Sequence, residues 1–488
     1  MRQPSAHPLL EEILRSIPRP YRLPDLPEPA PSSWLRHFQL EAGGDVSSSE
    51  SSLPSRPWPL DCRPSTAIAI IIEYARRALA AGERPGPDLK QGFVHAMAAL
   101  ICEAAREDSG DPAFRAMVLK HGSPIVREHA ALSAQFQDDK RRVLSLVNAL
   151  AHPAKLQRQP AGLRRDALTQ LHAAATASAW SDIATPLERL LAMPECRADA
   201  VLTDRLTQLK GEVALRRLQR LESLQTHEEV QQYLSLWEQQ GPAANSHAAA
   251  REGAAGRRRG MNVETLAKHG LDALAERLNT AHAQAHPYRV VTALHVPASF
   301  PARQEGAKTE WDAVLLQQAP GQTASKGAPV WNLCLMVEAK ASADAAGTDL
   351  ARLLRGLRLL AQAHAATVYA FRAREGVIHL NGASLTALPG EMGSLENTVL
   401  YCSDDSSDRE PRLLSAAARM QLLSAPQSLE VANALQQAKP VDTKVLGFLW
   451  EDVLNSEPWQ AVLHQYLTLR QARELMVHTS DLLQAASG

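Results

Sequence analysis

Apolar side chains return along this chain with two different periods, and the change of period divides it. From Ser65 to about Gln240 they recur at intervals of three and four. Ile68, Ile71, Ile72 and Ala75 form one group, and Phe93, Met97, Leu100 and Ile101 the next. Val143, Leu146, Val147 and Leu150 follow, then Leu202, Leu206, Leu209 and Val213. Residues so spaced line one stripe of an α-helix, so each group predicts a helix with a buried face. Residues 226–229 have the form of a capping box and open a last helix through Trp237. Upstream, Pro18, Pro20, Pro24, Pro27, Pro29 and Pro31 break any helix, and 47–52 is a polar run. Residues 1–60 are therefore expected to be a Pro/Ser-rich arm, largely irregular and mobile or draped, with one short helix over 9–17. Residues 61–240 are expected to form a helical domain. Residues 241–260, rich in Gly, Ala, Asn and Ser and ending in Arg257, Arg258 and Arg259, read as a linker.

Past Gly260 the pattern shortens. Residues 262–283 still read as a helix, with Leu266, Leu271, Leu274 and Leu278 inward. Strands are then predicted over 288–296, 310–317 and 330–340, a helix over 349–365, and short strands over 367–372 and 377–380. From about Leu413 the chain is helical again, with Val445, Leu446, Phe448 and Leu449 on one apolar face. Helix, three strands, helix, strand is the order of an α/β unit with buried central strands. The expected class is α+β and multidomain: a mostly helical N-terminal region, an α/β domain over 261–405 and a C-terminal helical segment over 406–488.

Composition narrows the function classes. A chain of 488 residues with net charge -1 and pI near 7.0 is no polycation, so any nucleic-acid contact must come from a local basic patch. Five scattered cysteines (Cys62, Cys102, Cys196, Cys334 and Cys402) lack the CxxC spacing of a zinc knuckle and fit a reducing cytoplasm. No signal-peptide pattern opens the chain, and its most apolar stretch, 67–72, is far too short to span a bilayer. A cytoplasmic protein with no membrane association is expected. Arg outnumbers Lys, and Ala and Leu abound, as in GC-rich bacterial genomes. No Gly-x-x-x-x-Gly-Lys phosphate loop occurs, so no nucleotide hydrolysis is expected.

The chemistry concentrates at two strand ends. Side chains two apart share a strand face, so Glu310 and Asp312 are expected to point one way, and Trp311 and Ala313 the other. In the next strand Glu338 and Lys340 share a face behind the apolar run Trp331, Leu333, Leu335 and Val337. Charges at the end of a buried strand need each other, a metal or water. Phosphodiester cleavage asks for such a set. Asp312, Glu338 and the Ala339 carbonyl offer hard oxygen ligands to Mg2+ (or Mn2+), and Lys340 offers a charge to the anionic transition state. Other acid-x-Lys strings, at Asp88, Asp138 and Asp442, lie in turn-like or helical contexts. Arg352, Arg355 and Arg358 recur every third residue on the following helix and are candidate phosphate contacts.

Thr309-Glu310-Trp311-Asp312-Ala313-Val314-Leu315 followed by Met336-Val337-Glu338-Ala339-Lys340 resembles the PD-(D/E)XK nuclease superfamily, which has the restriction-endonuclease-like fold. The resemblance covers roughly residues 261–372. It implies Asp312, Glu338 and Lys340 as catalytic residues, Asp312, Glu338 and Ala339 as metal ligands, and a further Glu from the preceding helix, which here is Glu264. Trp311 stands where a proline precedes the Asp in the family motif. The long interval from Asp312 to Glu338 is assigned to a hairpin loop around 321–329. A metal-dependent nuclease acting on DNA, in bacterial defence or DNA processing, is the first expectation. The alternatives are a nucleic-acid-binding or scaffold protein that retains the fold without cleavage, with the helical region recruiting a protein partner, and a delivered nuclease toxin.

Overall fold

The computed structural model describes residues 8–23, 25–26, 63–241, 247–281, 286–324, 327–389, 392–406 and 411–487. They fall into two compact units. One takes in the chain through Leu100, Ala244–Leu422 and Thr443–Gly488; the other takes in Ile101–Ala243 and Leu423–Asp442. The helical stretch expected as a single domain over 61–240 is thus divided near residue 100.

The second unit is wholly helical. Val143 and Val147 of the long helix Pro124–Ala151 pack with Leu168, Leu171, Trp180, Leu206 and Leu218, all buried. Caps set its helix starts: Asp111 accepts from Ala113 N and Phe114 N, and Asp199 from Leu202 N. The capping box expected at 226–229 does not form. The Thr226 hydroxyl donates backward to Ser223 O at 2.8 Å, so the helix Glu228–Gln239 starts at His227 without a side-chain cap. Glu229 instead accepts the Ser123 hydroxyl.

The first unit is built on a seven-stranded mixed sheet. Its elements are α1 (Pro8–Ser16), α2 (Pro64–Ala80), α3 (His247–Ala281), β1 (Tyr288–His295), β2 (Glu310–Thr323), β3 (Pro329–Ala339), α4 (Ala343–Ala361), β4 (Val368–Ala373), β5 (Gly376–Asn381), β6 (Val399–Ser403), α5 (Gln465–Glu474), β7 (Met476–His478) and α6 (Thr479–Ser487). β1, β2 and β3 form an antiparallel meander. The hairpin between β2 and β3 closes through Ala324 N to Ala328 O at 2.8 Å, where the long interval was assigned. β6 runs parallel to the end of β3, and β7 runs parallel to β6. The β4–β5 hairpin joins the start of β3 and touches β1 at His295↔Arg372.

Both faces of the sheet are covered. Leu271, Leu274 and Leu278 of α3, Leu482 of α6 and Leu10 and Leu14 of α1 pack with Leu315, Leu335, Val337, Cys402 and Val477 on one face. Leu350, Leu353, Leu357 and Leu360 of α4 pack with Leu294, Trp311, Val314, Met336 and Phe371 on the other. Each such side chain is worth about 1.5–3 kcal/mol on full burial, so the strand ends between the helices are held firmly.

Four further readings change. The expected linker is largely α3, because Ala and Arg in 248–259 are strong helix formers and outweigh the glycines among them; residues 242–246 lie outside the described residues. Of the two expectations for the N-terminal arm, mobile or draped, its described part excludes the first. Ile13, Ile17, Tyr21, Leu23 and Leu26 are buried, Arg19 donates to Leu475 O at 3.3 Å, and Tyr21 donates to Asp405 O. Residues 27–62 lie outside the described residues. β6 and β7 were not anticipated: one is a five-residue run buried throughout, the other only three residues long, and neither shows a period. Finally, Trp311 and Ala313 do not share a face; each belongs to a different core. Opposite Asp312, Ala293 takes φ 49°, in the left-handed region, and this kink interrupts the alternation of both strands. Among the described residues no helix is long and apolar enough to cross a membrane.

Candidate active site

Because β2 runs antiparallel to β3, the start of β2 lies beside the end of β3. The ladder stops at Ala313↔Val337. The next link is made by a side chain: Asp312 Oδ2 accepts the Ala339 amide at 2.9 Å. One residue back on β3, Glu338 is fully buried. Its Oε2 meets Lys308 Nζ at 2.6 Å and Lys340 Nζ at 3.4 Å. Its Oε1 is buried with no hydrogen-bond partner.

A third carboxylate joins from α4. Asp349 Oδ2 lies 3.1 Å from Lys340 Nζ, 4.0 Å from Lys308 Nζ and 3.4 Å from the Tyr401 hydroxyl of β6. Ser342 caps α4 by accepting from Ala345 N, which fixes the register that brings Asp349 inward. Lys308 is held against α4 by its amide, which donates to Arg352 O at 3.1 Å. Gly356 permits that approach: a Cβ there would lie 2.7 Å from Lys308 O and 2.9 Å from Lys308 Cβ.

The electrostatics follow from burial. Burial, then the nearby Asp312, pushes Glu338 up to about 8, against the pull of Lys308 and Lys340. Burial lowers Lys340, but Glu338, Asp349 and Asp312 outweigh it and hold the ammonium above its ordinary value. Glu264 of α3 is raised by burial and then by Asp312, with Arg374 and Lys340 opposing. Its carboxylate therefore feels the same charges as the strand ends. Burial and Asp349 also raise the Tyr401 hydroxyl. Four carboxyl groups (Asp312, Glu338, Asp349 and Glu264) thus share the field of two ammoniums, with Glu338 pushed towards its neutral form.

Asp312, Glu338 and Lys340 come together, and Glu264 is electrostatically coupled to them. The three arginines are not part of this cluster. Arg355 Nε donates to Gly306 O at 3.0 Å, and Arg352 and Arg358 are exposed. Lys308, Asp349 and Tyr401 were missed. For Asp349 a signal existed: with Ala346, Leu350 and Leu353 it lies on the buried stripe of α4, where an acidic residue needs a partner. Lys308 sits in an irregular segment with no pattern, and Tyr401 in an apolar run.

Among the described residues, no three or more His, Cys, Asp or Glu side chains form a ready cage for a metal ion. The donor set still fits a hard cation of the magnesium kind, which takes one or two carboxylates and keeps several waters. Glu338 Oε1 is a buried carboxyl oxygen without a partner, and Asp312 stands on the neighbouring strand. In comparisons with known proteins, no family model, no curated protein and no solved structure matches this chain.

Proposed function

We propose that this chain is a divalent-cation-dependent nuclease of the PD-(D/E)XK kind, with a restriction-endonuclease-like core and DNA as its first candidate substrate. The observation that carries the reading is the unpartnered, buried Oε1 of Glu338, a carboxyl that feels the charge of Asp312. Burial disfavours the ionised form of this carboxyl, and a cation would offset that cost. Asp312, Glu338 and the Ala339 carbonyl would hold Mg2+ or Mn2+. When bound, such an ion polarises the phosphate and lowers the pKa of an attacking water.

The remaining work falls to the chain. The water oxygen bonds to phosphorus as the bond to the leaving oxygen breaks; the water gives up a proton and the leaving oxygen gains one. Lys340 supplies positive charge where the phosphate becomes more anionic. Asp349 and Tyr401 hold that ammonium in place. Glu264, whose carboxyl is raised by burial and then by Asp312, is assigned to accept the proton of the attacking water. Arg352 and Arg358 are exposed on α4 for backbone phosphates, and the helical unit is free to select a partner.

The test is incubation of the purified chain with single- and double-stranded DNA and RNA, with Mg2+, with Mn2+ and with chelator. Cleavage that needs the cation supports the reading. A folded chain that cuts none of them sinks it. A second reading rests on a different observation: Lys308 and Lys340 already pair with Glu338 and Asp349. Such a closed ion cluster suits a scaffold that keeps the fold without cleavage, and an inert folded chain would select it.

A further inference from the structure

The two oxygens of Glu338 have different surroundings. Oε2 is shared by two ammoniums, Lys308 at 2.6 Å and Lys340 at 3.4 Å, while Oε1 has no partner. Asp349, the next carboxylate on the Oε2 side, is engaged as well, by Lys340 at 3.1 Å and the Tyr401 hydroxyl at 3.4 Å.

The Lys308 side chain is only 6% exposed, and its Nζ lies 5.9 Å from the Trp311 ring centre. Its backbone is pinned by the Arg352 carbonyl and by the close approach of Gly356. Its ammonium is thus held inside, between α4 and the start of β2. It is a fixed internal charge.

Resting on the nuclease reading above, we propose that the site takes a single divalent cation, at Glu338 Oε1 with Asp312, and that Lys308 stands where a second cation would bind. Sites that use two ions hold them about 3.5–4 Å apart, a separation at which a carboxylate between them commonly gives one oxygen to each. Glu338 is placed to be that carboxylate, but one of its oxygens already carries an ammonium. A second ion on Oε2 would share that oxygen with Lys308 and face Lys340 beyond it. Like charges so close in a buried site repel strongly. The other ligand it needs, Asp349, is neutralised by the same two lysines. Lys308 is therefore a positioning residue: it fixes one oxygen of Glu338, leaves the other for the ion and limits the ion count to one.

The test is a count of bound manganese on the full chain. Mn2+ is titrated at an ionic strength that screens surface carboxylates, with free ion read by electron paramagnetic resonance and total ion by elemental analysis. One tightly bound ion per chain, with the spectrum of an isolated Mn2+, is the expected result. Two bound ions with a spin-coupled spectrum overturn the proposal and leave cation dependence standing. No bound ion overturns the nuclease reading and this inference with it. In Lys308→Met the count should rise to two. A folded Lys308→Met chain that still holds one shows that Lys308 is not what excludes the second. If that variant does not fold, Lys308→Gln takes its place, and the count on the parent chain stands as the deciding measurement.

Discussion

The Asp312 carboxylate accepts the Ala339 amide at 2.9 Å, so it ties β2 to β3 at the rung where the main-chain ladder stops. The proposed metal ligand is therefore also a structural bond. Asp312→Ala removes both roles and leaves a half-buried N–H unpaired, a cost of about 1–3 kcal/mol. Asp312→Asn keeps an acceptor oxygen and removes the charge. Asp312→Asn is expected to melt close to the parent and to lose at least about 10²-fold in cleavage rate, as removal of one well-placed electrostatic group does. Cleavage assays and thermal melts on both variants check this; parental cleavage by Asp312→Asn would remove Asp312 from the chemistry.

Lys340→Ala is expected to lower turnover more than binding, because Lys340 acts on charge that develops in the transition state. A loss of about 10²–10³-fold in rate is anticipated. DNA binding should persist and weaken steeply with salt, since it would rest on dispersed arginines such as Arg352 and Arg358. Near-parental cleavage by folded Lys340→Ala would falsify the role given to this lysine.

Cation affinity should rise with pH. Glu338 is pushed up to about 8 by burial and by Asp312, and the carboxylate is the form that binds a cation. Below pH 8 the ion must displace a proton, so apparent affinity falls as pH falls and about one proton is released per ion bound. The same shift has a stability consequence in the metal-free chain. A carboxyl whose folded pKa lies above its unfolded value binds more protons in the folded state between the two, so stability declines as pH rises from about 4.5 towards 8. Calorimetric titration of Mn2+ in buffers of different ionisation enthalpy reads the proton count. An affinity that does not change between pH 6 and pH 9 would show that Glu338 is not a ligand.

Gly356→Ala tests how tightly Lys308 is held. A Cβ at this position meets the Lys308 carbonyl at 2.7 Å and has no flexible atom to push aside. Overpacking of this kind costs about 1–3 kcal/mol, which exceeds the ~1 kcal/mol that Ala gains over Gly in a helix. The variant is expected to melt below the parent and to loosen the Lys308–Glu338 pair. A higher melting temperature would show that α4 and the Lys308 segment are not in close contact.

Away from the site, Glu73 on α2 is buried, with Arg76 Nε at 2.7 Å, Arg76 Nη2 at 2.8 Å and Arg77 Nε at 2.9 Å. Burial raises this carboxyl, but the two guanidiniums outweigh it and hold it below its ordinary value. A depressed folded pKa stabilises the chain above the unfolded value of about 4.5, and that stability is lost as pH falls through the lower folded value. Glu73→Gln should cost about 1–3 kcal/mol at pH 7, and the difference from the parent should shrink below pH 4. Denaturant melts at pH 7 and below pH 4 compare the two; an equal cost at both would mean that the charge of Glu73 contributes nothing.

Periodicity alone marked out the meander and the two helices around it, because long apolar stripes such as Leu271, Leu274 and Leu278 or Leu350, Leu353 and Leu357 repeat often enough to show their spacing. The pairing of Glu338 with Lys340 was legible for the same reason, since residues two apart on a strand share a face. Three things needed the tertiary structure. The kink at Ala293 puts Trp311 and Ala313 into different cores, and no local pattern announces an alanine at positive φ. Lys308 reaches Glu338 from an irregular segment 30 residues upstream, and Asp349 reaches the two lysines from a helix 11 residues downstream, so their meeting is set by how α4 packs on the sheet. The state of Glu338 is likewise a property of the assembled core. Sequence places a carboxylate at the end of a buried strand, but only packing decides that one of its oxygens is bound by two ammoniums and the other by nothing.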